Sequence, residues 1–222
     1  MDTPKVNQDG HLLAGFGDIA NLKTLVEEGS FDVHSKDQYG RSAIHSAARN
    51  GHTPIVTFLL EQGVDVNVQD GEGLTALIHA TNANQEETSN LLIAKNADCS
   101  IVDNNGLHCL HGAAGGGILG LFQCIQETGA DNNIANKYGC TPMHVCARSG
   151  QVVILRHLIK CGADVNLKDA EGNTPMHFGS MCGFPLVVKA LLDAGADTTV
   201  ANNEGKTPAD CALGDEVSRA LK

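Results

Sequence analysis

Histidine recurs at a fixed interval in this chain: His111, His144 and His177 stand 33 residues apart, and His45 lies two such intervals before His111. Regularly spaced imidazoles raise metal ligation first. His108, Cys109, His111, Cys140, His144 and Cys146 form the densest Cys/His neighbourhood. Their spacing matches no zinc signature. Equivalent helices of successive repeats would lie about 8–10 Å apart, whereas Zn–N bonds are about 2.0–2.1 Å long. Neighbouring histidines would need extra reach to share an ion, so neither a metal nor any other cofactor is expected. Cys140 stands just before a predicted helix start, where a thiolate is favoured, with His144 close behind. That pair could suggest a nucleophile and its base, but no acidic group follows at a fixed place to orient the ring. A reactive surface thiol without catalysis is the expectation. The run Gly115-Gly116-Gly117 could cradle a phosphate, but Ile118-Leu119 stand where a phosphate loop needs Lys and then Ser or Thr. What remains is a flat patch without side chains, open to close backbone approach. The chain is not expected to be an enzyme.

The interval itself carries more. Thr141-Pro142-Met143-His144-Val145-Cys146-Ala147 returns one step later as Thr174-Pro175-Met176-His177-Phe178-Gly179-Ser180, and again as Thr207-Pro208-Ala209-Asp210-Cys211-Ala212. Stepping backward gives His108-Cys109-Leu110-His111, Thr75-Ala76-Leu77-Ile78 and Ser42-Ala43-Ile44-His45. Seven units follow, at about 1–36, 37–69, 70–102, 103–135, 136–168, 169–201 and 202–222. Each column has a physical task. Asp37 with Gly40 makes a tight turn, repeated at Asp70/Gly73, Asp103/Gly106, Asn136/Gly139, Asp169/Gly172 and Asn202/Gly205. The Ser or Thr that follows caps a first helix, with Pro142, Pro175 and Pro208 at its first position, where a missing N–H is harmless. Ala47-Ala48 permit close helix approach, and Gly51, Gly117, Gly150 and Gly183 end the helix where a positive φ is required. Ile55-Val56 and Phe58-Leu59-Leu60 give a second helix its apolar stripe.

The first unit, with helices around His11–Ala14 and Asn21–Val26, carries one extra residue near Phe31. In the third, Asn84 and Asn96 replace the helix-ending glycines, Ile78 replaces the histidine, and Thr88-Ser89 stand in the apolar stripe. That unit is expected to be the least well packed. The seventh is short and polar, as the end of a stack must be.

A 222-residue chain with 42% hydrophobic residues is not disordered, and 4% aromatics with no Trp point to a core of small and aliphatic side chains. A net charge of −11 argues against nucleic acid and against an anionic membrane surface. Met1-Asp2-Thr3-Pro4-Lys5 opens no secretory signal, and no apolar run approaches the roughly 20 residues that cross a bilayer. Eight cysteines without a C-x-x-C pair, several in alanine columns, suggest reduced thiols and a cytoplasmic, possibly also nuclear, location.

At these columns the chain resembles the ankyrin repeat family, whose period and Thr-Pro-Leu-His core it repeats. The resemblance implies an all-α solenoid: stacked helix-turn-helix units with projecting β-turn fingers, one domain over 1–222. It also implies a non-catalytic scaffold or adaptor that binds one or more partner proteins, as a monomer, through its concave groove and finger tips. By size and unit number the chain is also similar to the gankyrin type of proteasome-assembly chaperone; a regulatory segment of a larger protein is the other alternative. Recognition falls to positions that the repeat leaves free. At the fingers these are Tyr39 and Arg41, Glu72 and Leu74, Asn105 and Leu107, Lys137, Tyr138 and Cys140, then Glu171 and Asn173. Along the inner helices they are Arg49, Asn50, Asn82, Arg148, Ser149 and Met181. Tyr39 and Tyr138 are the only tyrosines and share one column, as do Arg49 and Arg148. Tyr and Arg tend to carry interface energy.

Overall fold

The structure is a computed structural model that describes residues 9–221. The opening segment read above for a secretory signal, and Lys222, lie outside the described residues. The chain divides into two compact units, residues 1–104 and 105–222.

In the first unit, three helix pairs follow one another: α1 (Gly10–Phe16) with α2 (Ile19–Glu27), α3 (Ala43–Arg49) with α4 (Thr53–Glu61), and α5 (Ala76–Asn82) with α6 (Glu86–Ala94). The helices have seven or nine residues, too few to persist alone in water. They depend on one another: α1 packs on α3, α3 on α5, and α4 on α6. Ala47, Ala48, Ala76 and Ala80 are fully buried at these contacts, with Leu22, Ile55, Leu59 and Leu92 beneath. The extra residue of the first repeat has a use. The Phe31 ring lies over Gly10, where an added Cβ would come within 2.4 Å of it, and it meets the His11 ring edge-on at 5.1 Å. Asn84 and Asn96 adopt φ of 60° and 62°, as their column requires.

The second unit continues with α7 (Cys109–Gly116), α8 (Leu119–Glu127), α9 (Pro142–Ser149), α10 (Val152–Lys160), α11 (Pro175–Met181), α12 (Pro185–Asp193) and α13 (Asp215–Ala220). Here α7, α9 and α11 pack in series, as do α8, α10 and α12, and α13 closes on α12. Pro142 and Pro175 open their helices as expected, but Pro208 does not. Thr207 to Cys211 form turns instead. Asp210 fills the histidine column, and its short carboxylate accepts from both Thr207 N–H and Thr207 Oγ1, at 2.9 and 2.7 Å. Leu213 N–H then donates to Ser180 O at 2.9 Å, and Gly214, at φ 88°, redirects the chain into α13.

Thr88 and Ser89 are buried in the α6 stripe, as Ile154 and Leu155 are in α10. Their hydroxyls are paired: Thr88 Oγ1 with Thr53 Oγ1 at 2.9 Å, and Ser89 Oγ donating to Gln85 O at 2.7 Å. Polar satisfaction removes the penalty of burial but does not replace the missing apolar area, worth about 0.8 kcal/mol per CH₂. Amide hydrogen exchange is therefore expected to be faster across α6 than across α10. Equal protection of the two helices would show that the hydroxyl pairs compensate in full.

Candidate protein-binding surface

Four of the turns that carry the finger positions singled out from the sequence are each held by one side-chain oxygen. Asp37 Oδ1 accepts from the N–H groups of Tyr39 and Arg41 at 2.8 and 2.9 Å. Asp70 does the same for Glu72 and Leu74, Asn136 for Tyr138 and Cys140, and Asp169 for Glu171 and Asn173. Adjacent turns are tied by their backbones. In the first unit Gly71 N–H donates to Tyr39 O at 3.0 Å and Asn104 N–H to Glu72 O at 2.8 Å. In the second, Lys137 N–H donates to Asn105 O and Ala170 N–H to Tyr138 O, both at 2.8 Å. The approach is close enough to require glycine. At Gly40, already at φ 72°, an added Cβ would lie 2.7 Å from Gly71 N.

The recurrent histidines stitch helix to turn from below. His144 Nδ1 accepts from Thr141 N–H at 3.1 Å, which places the ring proton on Nε2, and Nε2 donates to Asn173 O at 3.2 Å. His177 repeats this with Thr174 N–H and Lys206 O. His45 does so with Ser42 N–H and Val68 O, and His111 Nε2 reaches Cys140 O at 2.9 Å. Both nitrogens of these rings are engaged, and no three His, Cys, Asp or Glu side chains among the described residues are grouped to hold a metal ion. In the third repeat the bond is drawn differently. Ile78 fills the column, and the next residue, His79, turns outward to Asp70 Oδ2 at 2.8 Å. Burial raises the Asp70 pKa, but hydrogen bonds from His79 and from the Leu74 and Glu72 amides outweigh it and hold the carboxyl below its usual range.

In the first unit the structure gathers the sequence-selected residues. Tyr39 is 59% exposed, and the Arg41 guanidinium lies 4.6 Å over its ring. Arg41 is in turn fixed by Asp37 Oδ2, 3.0 Å from Nε and 2.9 Å from Nη2. Tyr39, Arg41, Arg49, Glu72, Leu74 and Asn82 line one open cavity of about 450 Å³, floored by Asp70 and His79. Asn50 lies in an adjoining cavity of about 310 Å³ that shares Arg41 and Arg49 and is bordered by Leu12 and Phe16. Sequence reasoning missed His79, Asp70, Leu12 and Phe16. The signal for His79 was available, since it stands beside the column where histidine is missing. Nothing marked Phe16, whose repeat equivalents are polar or small.

In the second unit Asn105, Lys137, Tyr138, Arg148, Ser149, Glu171 and Met181 are exposed, and Leu107 and Cys140 are half-buried. Asn173 is a correction. It is only 4% exposed; its N–H is held by Asp169, its Nδ2 donates to Glu171 Oε2 and its Oδ1 accepts from Asn202 Nδ2. It is part of the turn framework, not of a free surface. The expectation for Cys140 is also reversed. Burial pushes its thiol up, and the attraction of Arg148 does not restore it, so the half-buried sulfur is not an activated nucleophile. Cys146 is fully buried, with its thiol pushed far up by burial. The glycine run is not bare either. Gln151 Nε2 donates to Gly115 O at 3.1 Å, and an added Cβ at Gly117 would meet the Gln151 side chain at 2.4 Å.

A family model described as ankyrin repeats (three copies) matches residues 11–103, 80–169, 110–202 and 153–221, and the chain belongs to that family. Human ankyrin repeat domain-containing protein 7 is 40% identical over 52 residues, 23% of this chain and 20% of that protein. Palmitoyltransferase akr1 of Schizosaccharomyces pombe is 40% identical over 52 residues, 23% of this chain and 8% of its own length. The chain thus spans a fifth or less of these curated relatives. The crystal structure of the human ASB11 ankyrin repeat domain superposes with a TM-score of 0.82 at 24% identity, covering 99% of this chain and 96% of that one. That likeness shows the fold, an all-α ankyrin-repeat stack of paired helices. Such domains are typically non-catalytic and generally mediate protein–protein interactions. Among the described residues no helix is long and apolar enough to cross a membrane.

Two outcomes follow from this framework. Burial lowers the pKa of His45, His144 and His177 from 6.5. The unfolded chain then binds protons first as pH falls, so folding stability is full above about pH 6.5 and declines below it. Urea titration should show a loss of up to about 1.4 kcal/mol per pH unit for each ring between about pH 6.5 and 5. A flat profile there would mean that these rings take up protons as readily in the folded chain as in the unfolded one. Separately, Asn173→Ala, which loses the side-chain bonds to both Glu171 and Asn202, should cost about 1–3 kcal/mol, whereas Glu171→Ala, at the exposed tip and losing only one of them, should cost less than about 1 kcal/mol.

Proposed function

We propose that the chain is a non-catalytic scaffold or adaptor that captures a partner protein through its exposed turn tips and first-helix residues. The observation that carries this reading is in the first unit. Above the turn-holding Asp70, its cavity is lined mainly by side chains that the repeat leaves free, with Tyr39, Arg41 and Arg49 as anchors. Tyr39 is pre-positioned by Arg41 and Arg41 by Asp37, so little side-chain freedom remains to be lost on binding. In the second unit Lys137, Tyr138, Arg148, Ser149, Glu171 and Met181 present the corresponding columns to solvent. The absence of catalysis is supported by the engaged imidazoles and by the raised Cys140 thiol. The activity in the name of akr1 belongs to that protein, of which the shared stretch is 8%. Cys124, Cys140, Cys146, Cys161, Cys182 and Cys211 are free thiols, and we place the chain in a reducing compartment, cytoplasm or nucleus.

The test is affinity capture from the source cell with the full chain and two double variants, Tyr39→Ala/Arg49→Ala and Tyr138→Ala/Arg148→Ala. Capture of a defined partner should fall at least tenfold in one of the variants while the unfolding free energy changes by less than about 1 kcal/mol. Capture that is indifferent to both variants would reject these surfaces, and a large loss of stability would make the residues structural.

A further inference from the structure

Three cavities adjoin along the first unit, of about 450, 310 and 480 Å³, and Arg41 borders all of them. They form one trough that crosses α1, α3 and α5. Two of its charges are paired off: Arg41 is neutralised by Asp37 and His79 lies on Asp70. Lys36 makes no ion pair among the described residues, but its ammonium is tied to the Gln69 carbonyl. Arg49 is different. It is exposed, borders two of the cavities, and its guanidinium makes no ion pair among the described residues. On the α1 side of Arg49 the trough turns apolar, with Leu12 40% and Phe16 78% exposed. An exposed Phe ring beside an uncompensated guanidinium is complementary to an apolar side chain followed by a carboxylate.

We propose that this trough binds an extended segment of the partner protein, with an Asp or Glu carboxylate on Arg49 and an apolar side chain on Leu12 and Phe16. The inference rests on the protein-binding reading above and specifies its chemistry. A guanidinium fork takes a carboxylate through two parallel hydrogen bonds. Arg49 and Phe16 sit on neighbouring first helices, which pack about 8–10 Å apart, and an extended chain rises about 3.3 Å per residue. The apolar and acidic side chains must also face the same way, which places them two or four residues apart. A run of acids is disfavoured. It would meet Glu72 on the far rim, Asp9 at the near end and the net charge of −11. One carboxylate in a mixed segment fits.

The test uses the full chain and end-blocked decapeptide pools with Leu fixed at the fourth position and Glu at the sixth. Matched pools carry Gln, Lys or phosphoserine in place of Glu, or Ser in place of Leu. Binding is read by anisotropy and by amide shifts of Tyr39, Arg49 and Asn82. The Leu/Glu pool should bind, and weaken about tenfold or more when Glu becomes Gln. Arg49→Gln should cause the same loss without further weakening the Gln pool, and Arg49→Glu should turn the preference toward Lys. Arg156→Gln, at an exposed position on α10 of the other unit, should change nothing. Equal binding of the Glu and Gln pools, a preference that survives Arg49→Gln, or a dominant phosphoserine pool would overturn the inference. If no pool shifts those amides while partner capture still depends on Tyr39 and Arg49, the carboxylate reading fails and the scaffold reading stands.

Discussion

Everything in this molecule depends on helices too short to exist alone being held in register by hydrogen bonds between repeats. The central device is a buried, neutral imidazole. His144 Nδ1 accepts a hydrogen bond from the Thr141 amide, and its Nε2–H donates one to the Asn173 carbonyl. One ring thereby satisfies an orphan donor at a helix start and an orphan acceptor in the following turn, two groups whose burial would otherwise cost about 1–3 kcal/mol each. A charged imidazole could not do this, because its Nδ1 would carry a proton and could no longer accept. The regular histidines that look like metal ligands thus act as hydrogen-bonded ties between repeats, and the same burial that makes them useful lowers their pKa.

The third repeat shows what happens when the device is absent. With Ile78 in the column, a buried aliphatic side chain takes the place of the hydrogen-bonding ring. His79, about 100° further round the helix, pairs instead with Asp70, and both line the cavity. The cavity in the first unit thus arises beside the least regular repeat. A position that is not needed to hold the stack becomes available for lining a surface, and the turn above it is still held by Asp70 accepting from two amides.

The repeat, its helices and their ends were legible in the sequence because each is set by local chemistry. Glycine or asparagine is needed at positive φ, Ser or Thr at a cap, alanine at close approach. Pro208 misled because its local signal matched Pro142 and Pro175 while the residue two places on, Asp210, had lost the side chain that extends the cap into the next turn. The free surface was legible only in part. Columns identified Tyr39, Arg41 and Arg49, but whether a side chain is exposed depends on what neighbouring repeats place against it, and no column encodes that. Cys140 shows the limit from the other side: the position before a helix favours a thiolate, and burial overrides it.

Asn173 and Glu171 lie two residues apart on one turn, yet one is buried and the other exposed. Alternation along an extended segment would send both side chains the same way, so alternation cannot be the cause. The difference lies in the Asp169 oxygen, which accepts from both amides and bends the chain around itself. The bend turns the Asn173 carbonyl down to His144 and its side chain toward Asn202, while Glu171 is left at the crest. The same bend around Asp37 leaves Tyr39 at a crest and sends Arg41 back across it. In these turns a single side-chain oxygen thus sets which side chain stands at the crest. A variable residue at the crest can change without loosening the stack, and that separation is the physical basis for reading these crests as a binding surface.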